Sequence, residues 1–136
     1  MRQVMDSFAG FDNFLVYLAI SLVLLRVFVS LYIRITPFAE FTLMREGNIG
    51  AAFSLGGAIL GFVIPLGAAI RYSVSPVDMA IWGVIALVVQ IAAFVVVRLS
   101  LPTICEDIAK GNAAMGFFLG CTALAAGILN ASCMSF

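Results

Sequence analysis

Few side chains in this sequence are of a type that could do chemistry. The chain has no histidine, which removes the commonest general base and metal ligand in proteins. Its long apolar runs contain no aspartate or glutamate, whereas proton-coupled and cation-coupled carriers usually place such groups at depth. Glu106 and Asp107 are adjacent, but neighbours on a helix do not face each other, so we interpret them as a solvated edge and not as an acid–base pair.

Arg26 is the one charged residue inside a predicted membrane span, and Gln90 and Asn130 are polar residues in two other spans. Because a charge at depth costs a few kcal/mol on insertion scales, Arg26 has two interpretations. It snorkels or makes a structural hydrogen bond, or it forms an anion or lipid-headgroup site. Gln90 and Asn130 are typical of interhelical hydrogen bonds, and lining a pore is their alternative use.

The remaining nucleophiles are weakly placed. The three cysteines have no pair at CxxC spacing, so a disulfide framework or zinc site is not indicated. An intramembrane enzyme would need Cys121 or Ser54 as nucleophile, with no base nearby in the sequence. No phosphate-binding Gly-Lys-Ser/Thr loop or Gly-x-Ser-x-Gly elbow is present. We therefore predict a protein that is not an enzyme and binds no cofactor.

Composition places the whole chain in a membrane. Its 136 residues are 64% hydrophobic and 10% charged, against roughly 45–50% and 25% in soluble domains. The formal net charge of +0 argues against nucleic-acid binding, which needs a basic surface. A span needs about 20 mostly apolar residues, and four segments qualify. They are residues 14–33, 49–70, 79–97 and 113–134, within a single integral membrane domain that covers residues 1–136.

The sequence repeats itself at an offset of 64 residues. Arg34-Ile35-Thr36 followed by Gly47-Asn48 returns as Arg98-Leu99-Ser100 followed by Gly111-Asn112. Such a repeat predicts an all-α membrane protein whose four helices form two tandem hairpins, at about residues 11–72 and 76–136.

The segments that follow the first and third spans carry matching end signals. Thr36-Pro37, and Ser100 before Pro102, each place a hydroxyl before a proline, as at a helix start. Short interfacial helices are predicted at residues 38–46 and 103–110. Glycine tolerates the left-handed helix cap and asparagine caps the next helix, so the corner residues are Gly47, Asn48, Gly111 and Asn112.

Spans two and four are rich in small residues at helical spacing. Gly57-x-x-x-Gly61 and Gly116-x-x-x-Gly120 are patterns that allow close backbone approach in lipid, so we predict that these spans cross at the centre of the bundle. The predicted packing residues are Gly56, Gly57, Gly61, Gly116, Gly120 and Gly127. Pro65, deep in span two, predicts a kink.

Basic residues predict the orientation. Four flank the first and third connections and two lie on the other side, which favours cytoplasmic connections and periplasmic N- and C-termini. With the amino ends of spans two and four, these four charges would also suit a lipid phosphate or an acidic partner. The alternative, which we favour, is that they are ordinary topology signals. They are Arg34, Arg45, Arg98 and Lys110.

Four stretches of the chain carry a family resemblance: Ile35-Thr36-Pro37 and residues 60–66, 82–90 and 123–134. They resemble the YjfL-like family of bacterial inner-membrane proteins (UPF0719, domain of unknown function 350), and the similarity runs over nearly the whole chain. The resemblance implies four membrane helices in a bacterial inner membrane and supplies no catalytic or ligand residues. Relatives are often encoded near phage-shock-like membrane-remodelling proteins, which makes an envelope-related role worth testing.

Two hypotheses follow for the activity. The first is a non-enzymatic homo-oligomer or accessory subunit in envelope maintenance or stress, in contact with membrane lipids and possible protein partners; Gly56→Leu or Gly120→Leu should then disrupt assembly. The second is a channel or transporter subunit, in which Arg26→Ala or Gln90→Ala should change flux and leave assembly intact.

Overall fold

The computed structural model describes residues 2–36 and 39–134, which form helices and short connections without any strand. Four helices are long and apolar enough to cross a membrane: α2, which follows closely on α1, and α4, α5 and α7. The prediction of an all-α chain with four candidate spans is confirmed. In chain order the helices are α1 (Arg2–Phe8), α2 (Phe11–Ile35), α3 (Glu40–Arg45), α4 (Ile49–Tyr72), α5 (Pro76–Ser100), α6 (Ile104–Ala109) and α7 (Ala113–Cys133).

Helix α4 lies at the middle of the bundle. It packs against α2, α5 and α7, and its contact with α7 is the most extensive in the molecule. Helices α2 and α7 each pack on both α4 and α5, so they flank the α4–α5 pair from opposite sides. The predicted tight crossing of spans two and four is present as the α4–α7 contact, and span one is the least buried of the four. Span three is less peripheral than predicted, because α5 packs on α2, α4 and α7.

Small residues on α5 explain its close packing on α2 and α4. Gly83 and Ala86 are buried, and a Cβ added at Gly83 would lie 2.5 Å from a methyl carbon of Leu24 and 3.5 Å from one of Leu66. The missing side chain thus leaves room for leucines from α2 and α4. The valines that gave α5 a lipid-facing appearance in the sequence include Val88 and Val96, which occupy its exposed side.

An aromatic cluster joins α2, α4 and α5. The rings of Phe28 and Phe62 stack with centroids 4.6 Å apart, and Tyr32 meets Phe94 edge to face at 5.1 Å. Such pairs contribute about 0.5–1.5 kcal/mol beyond area burial. This cluster fixes the end of the bundle nearest α3.

The hydroxyl residues before the prolines do not begin helices. Thr36 is the C-cap of α2 and Ser100 is the last residue of α5, and the Ser100 hydroxyl donates to the Val96 carbonyl at 2.9 Å. Serine and threonine commonly back-bond in this way to the preceding turn, which explains the wrong prediction. Residues 37 and 38, the predicted start of the first short helix, lie outside the described residues.

Candidate functional site

The two Gly-Asn corners have the same backbone geometry. Gly47 and Gly111 have φ values of +86° and +97°, in the left-handed region that favours glycine. The following asparagine N–H groups donate back to Leu43 and Asp107 carbonyls, both at 2.9 Å, which completes a Schellman motif. Each asparagine thus closes one helix with its backbone and is placed to cap the next with its side chain.

Within residues 2–36 and 39–134, a side-chain hydrogen bond joins the first corner, and not the second, to the neighbouring hairpin. Asn48 Oδ1 accepts from the Ala51 N–H at 2.9 Å, and Asn112 Oδ1 accepts from the Met115 N–H at 3.2 Å. In addition, Asn48 Nδ2 donates to the Ile108 carbonyl of α6 at 2.8 Å. Asn48 is therefore both a cap and a tether.

Replacing Asn48 by alanine is expected to cost more stability than replacing Asn112. Both changes remove a cap, worth about 1 kcal/mol, and only Asn48→Ala also removes the bond to Ile108, worth about another 1 kcal/mol. Asn48→Asp should fall between the wild type and Asn48→Ala, since it keeps the cap oxygen. Detergent-induced unfolding followed by circular dichroism measures the stability of all three variants. Equal losses of stability in the two alanine variants would show that the hydrogen bond from Asn48 to Ile108 contributes nothing.

Glycine faces glycine along the α4–α7 contact. A Cβ added at Gly116 would overlap Gly50, and one added at Gly57 would overlap the backbone of Gly120. Further along, a Cβ on Gly127 would overlap the carbonyl oxygen of Gly61. Because the residue numbers of the contacting glycines rise together in α4 and α7, the two helices run parallel, and their backbones are in direct contact.

Gly56 takes no part in this contact. A Cβ at Gly56 would meet nothing within 4 Å, in contrast to its neighbour Gly57. Successive residues on a helix point about 100° apart, so the two glycines cannot face the same partner. The prediction of Gly56 as a packing residue is wrong for contacts within the chain.

Pro65 contributes to the same contact by freeing an acceptor. It is buried within α4, which is assigned as helix from Ile49 to Tyr72. Having no N–H, Pro65 leaves the Gly61 carbonyl without its usual partner four residues on. That oxygen faces the position that a Cβ on Gly127 would occupy, as it would in a weak Cα–H···O contact. The kink remains a prediction.

Buried polar side chains follow one another through the interior. Asn130 Nδ2 donates to the Ala86 carbonyl at 3.4 Å, and Gln90 Nε2 donates to the Ala123 carbonyl at 3.1 Å. Further toward α3, the Tyr32 and Ser54 hydroxyls lie 3.0 Å apart. The polar residues of this row join α5 to α7 and α2 to α4.

A small cavity separates Gln90 from Tyr32. Its volume is about 10 Å³, and Thr122 also lines it. Gln90 Oε1 is buried there with no hydrogen-bond partner among the described residues. A space of this size holds about one water molecule, which would satisfy the amide oxygen.

The last of these buried polar side chains is Glu40, which the sequence analysis did not identify. Its side chain is 0% exposed, one carboxyl oxygen contacts the Thr36 hydroxyl, and Oε2 has no partner among the described residues. Burial raises the pKa of Glu40 more than the hydrogen bonds from Thr36 and from its own backbone amide lower it. The repeat offered a signal, because the same register places Ile104 opposite Glu40, and Ile104 is equally buried.

Cys105 lies near Glu40 but is not an activated nucleophile. Burial, with a smaller contribution from Glu40, raises the pKa of its thiol despite the opposing effect of Arg98. The Arg98 guanidinium instead donates to the Ile35 carbonyl at 3.1 Å, which joins the ends of α5 and α2. The thiol therefore stays neutral.

Arg26 is not brought together with Gln90 and Asn130. It is exposed on α2, and it makes no hydrogen bond or ion pair to any residue that the structure describes. Phe28, two positions further and about 200° around the helix, is the residue that faces the core. The interpretation of Arg26 as an internal hydrogen-bonding group is therefore wrong, and its side chain is left to lipid, solvent or another chain.

The family model described as Domain of Unknown Function (DUF350) matches residues 5–134. The chain belongs to this family. Among DUF350 relatives, the UPF0719 inner membrane protein YjfL of Escherichia coli K12 is 40% identical over 134 residues, covering 98% of this chain and 99% of the relative. The UPF0719 transmembrane protein YshE of Bacillus subtilis is 25% identical, covering 74% of this chain and 77% of the relative. No solved structure matches.

Proposed function

We propose that this protein is a non-enzymatic, multi-pass protein of the bacterial inner membrane that works as a homo-oligomer or accessory subunit in envelope maintenance or stress. Its location is supported by relatives named as inner-membrane and transmembrane proteins, together with four apolar helices. The excess of basic residues at the α3 and α6 connections favours periplasmic termini. Membrane lipids are its immediate partners.

The observation that carries the proposal is a closed interior beside a large apolar exterior. The α4 and α7 backbones touch, which leaves no room for a path between them. On the outside of the same contact, Phe53 and Phe117 meet edge to face at 5.4 Å beside an apolar groove of about 160 Å³. In a membrane, helix faces of this kind pack against lipid or against another chain, and the contact between α4 and α7 leaves no space between them for an internal reaction site.

Two features support the finer architecture that we propose, two hairpin copies with interfacial short helices. The Gly-Asn corners repeat their geometry 64 residues apart. In α3, Phe41 and Met44 are exposed apolar residues next to exposed Arg45, as expected of a helix lying at a membrane surface.

Deleting the gene from a bacterium that carries it is expected to increase dye entry under envelope stress. Complementation with the wild type or Gly56→Ala should restore the barrier, whereas Gly57→Ala, which disrupts the α4–α7 contact, should not. Dye uptake during mild detergent treatment is the measurement, with protein level in the membrane as the control. A deletion strain that takes up no more dye than its parent would contradict the envelope role.

The row of buried polar groups favours a second candidate, a channel or transporter subunit. Asn130, Gln90, Tyr32 and Glu40 follow one another from one end of the bundle to the other, an arrangement that membrane proteins use for ion or proton paths. In this case Gln90→Ala should change ion or proton flux in sealed vesicles and leave assembly intact. Arg26→Ala tests a path between subunits, and unchanged flux in both variants removes this candidate.

A further inference from the structure

Glu40 differs from every other acidic side chain of the chain. Of the seven acidic residues, it alone is buried; the other six are exposed or half-buried. It begins α3, the short helix in the connection between α2 and α4, and not a membrane-spanning helix. A proton can therefore reach solvent by a short movement of α3.

Thr36 has more acceptors within reach than its single hydroxyl hydrogen can satisfy, which leaves a place for a proton on the Glu40 carboxyl. Thr36 Oγ1 lies 3.1 Å from the carbonyl oxygens of both Tyr32 and Ile33, and it also contacts Glu40 Oε1. A hydroxyl has one hydrogen to donate, and carbonyl oxygens have none. If Thr36 donates to a carbonyl, the contact with Glu40 needs a hydrogen from the carboxyl group.

The charges around Glu40 also favour a neutral group. The titratable side chains near it are Tyr32 from α2 and Cys105 from α6, and both are uncharged when protonated. Arg98 donates to the Ile35 carbonyl, and the described part of α4 places its charged residue, Arg71, in its last turn. An ionised carboxylate in this position would have a buried oxygen without a donor among the residues that the structure describes, which is costly.

We propose that Glu40 is a proton-binding site whose bound proton, shared with the Thr36 hydroxyl, holds α3 against the bundle. On release, the carboxyl O–H bond breaks, the proton goes to water, and the carboxylate keeps the electron pair. The negative charge then has to reach solvent, so α3 detaches. This site goes beyond the proposed function, because it stands whether the protein assembles, conducts or does neither.

The direction of the pH effect follows from linkage. The carboxyl binds its proton more tightly in the docked than in the detached state, because burial raises the pKa of Glu40. The proton therefore stabilises docking fully below the pKa of the detached state, and this stabilisation is lost as the pH rises through the docked pKa. Between these two pKa values the ratio of detached to docked α3 should increase by up to about tenfold per pH unit, and above the docked pKa it should level off.

Infrared spectroscopy of the intact protein in lipid tests the proton directly. The carbonyl band of a protonated carboxylic acid should persist at a pH where exposed carboxylates are ionised, and it should disappear in Glu40→Gln. Glu46→Gln, which changes an exposed carboxyl on the same connection, should keep the band. No such band in the wild type, or a band that survives in Glu40→Gln, would overturn the proposal.

Thiol labelling tests the movement of α3. In a chain whose native cysteines are replaced by alanine, Leu43→Cys, at a half-buried position, should react with a maleimide faster as the pH rises. Its rate relative to Leu43→Cys in a Glu40→Gln background should climb by up to about tenfold per pH unit between the detached and the docked pKa of Glu40, and should then level off. Thr42→Cys, at an exposed position, should show a constant ratio. A constant ratio at Leu43 as well would overturn the coupling of proton to movement.

Discussion

Replacing Gly57 by alanine is expected to destabilise the bundle, whereas the same change at Gly56 leaves it intact or slightly more stable. A Cβ at Gly57 would lie 2.6 Å from the carbonyl carbon of Gly120, and one at Gly56 would meet nothing within 4 Å. Since two backbones cannot adjust as a flexible side chain can, α4 and α7 must separate. Overpacking of this kind costs about 1–3 kcal/mol or more.

Both variants gain the same helix propensity, about 0.5–1 kcal/mol for glycine to alanine. The difference between them therefore isolates the helix contact, and we expect it to equal the overpacking cost, about 1–3 kcal/mol or more. Unfolding in mixed detergent micelles, followed by circular dichroism, gives the free energy of unfolding for each variant. Equal stabilities would mean that α4 and α7 do not touch at Gly57.

Replacing Glu40 by lysine is expected to prevent α3 from docking and to lower the yield of folded protein. The side chain is 0% exposed, and the described residues form no ion pair that a new cation could join. A buried, unpaired charge costs several kcal/mol, so the lysine must reach water and take α3 with it.

Glu46→Lys makes the same charge change six residues later, at an exposed position, and should leave stability within about 0.5 kcal/mol of the wild type. Size-exclusion profiles and protease cleavage within the α3 connection measure the two variants side by side. Wild-type behaviour of Glu40→Lys would contradict the buried position of Glu40.

The number and type of long helices could be predicted because lipid imposes a simple requirement. Each apolar run must satisfy its own backbone hydrogen bonds, and a helix does so within one segment. Helices α4 and α7 begin at the predicted residues, Ile49 and Ala113, because asparagine side chains cap both. Local signals of this kind are legible in the sequence without knowledge of the tertiary structure.

The rotation of each helix about its axis could not be predicted from spacing alone. Gly56 and Gly57 are adjacent glycines, and they differ only in that Gly57 faces α7 and Gly56 does not. Arg26 and Gln90 occupy the same place in the repeat, yet Arg26 is exposed and Gln90 is buried. The two halves depart from symmetry because α5 packs on α4 as well as on α7, and only the assembled bundle decides this.

Glu40 was overlooked for a different reason. A carboxylate in a short connecting helix normally faces water, and nothing in its immediate neighbours contradicts that expectation. The 64-residue repeat pairs Glu40 with Ile104, so the burial of one position can be inferred from the residue type at the other. It shows that an acidic residue at a position where the other half has a buried isoleucine is the one to inspect.

The central claim is that this protein acts by assembly, and the mass of its complex tests that claim most directly. We would extract the tagged protein from native membranes in lipid particles at native expression levels, and identify its companions by mass spectrometry. The account predicts two or more copies, or one copy with a stoichiometric partner protein. Single chains surrounded by lipid alone would contradict it.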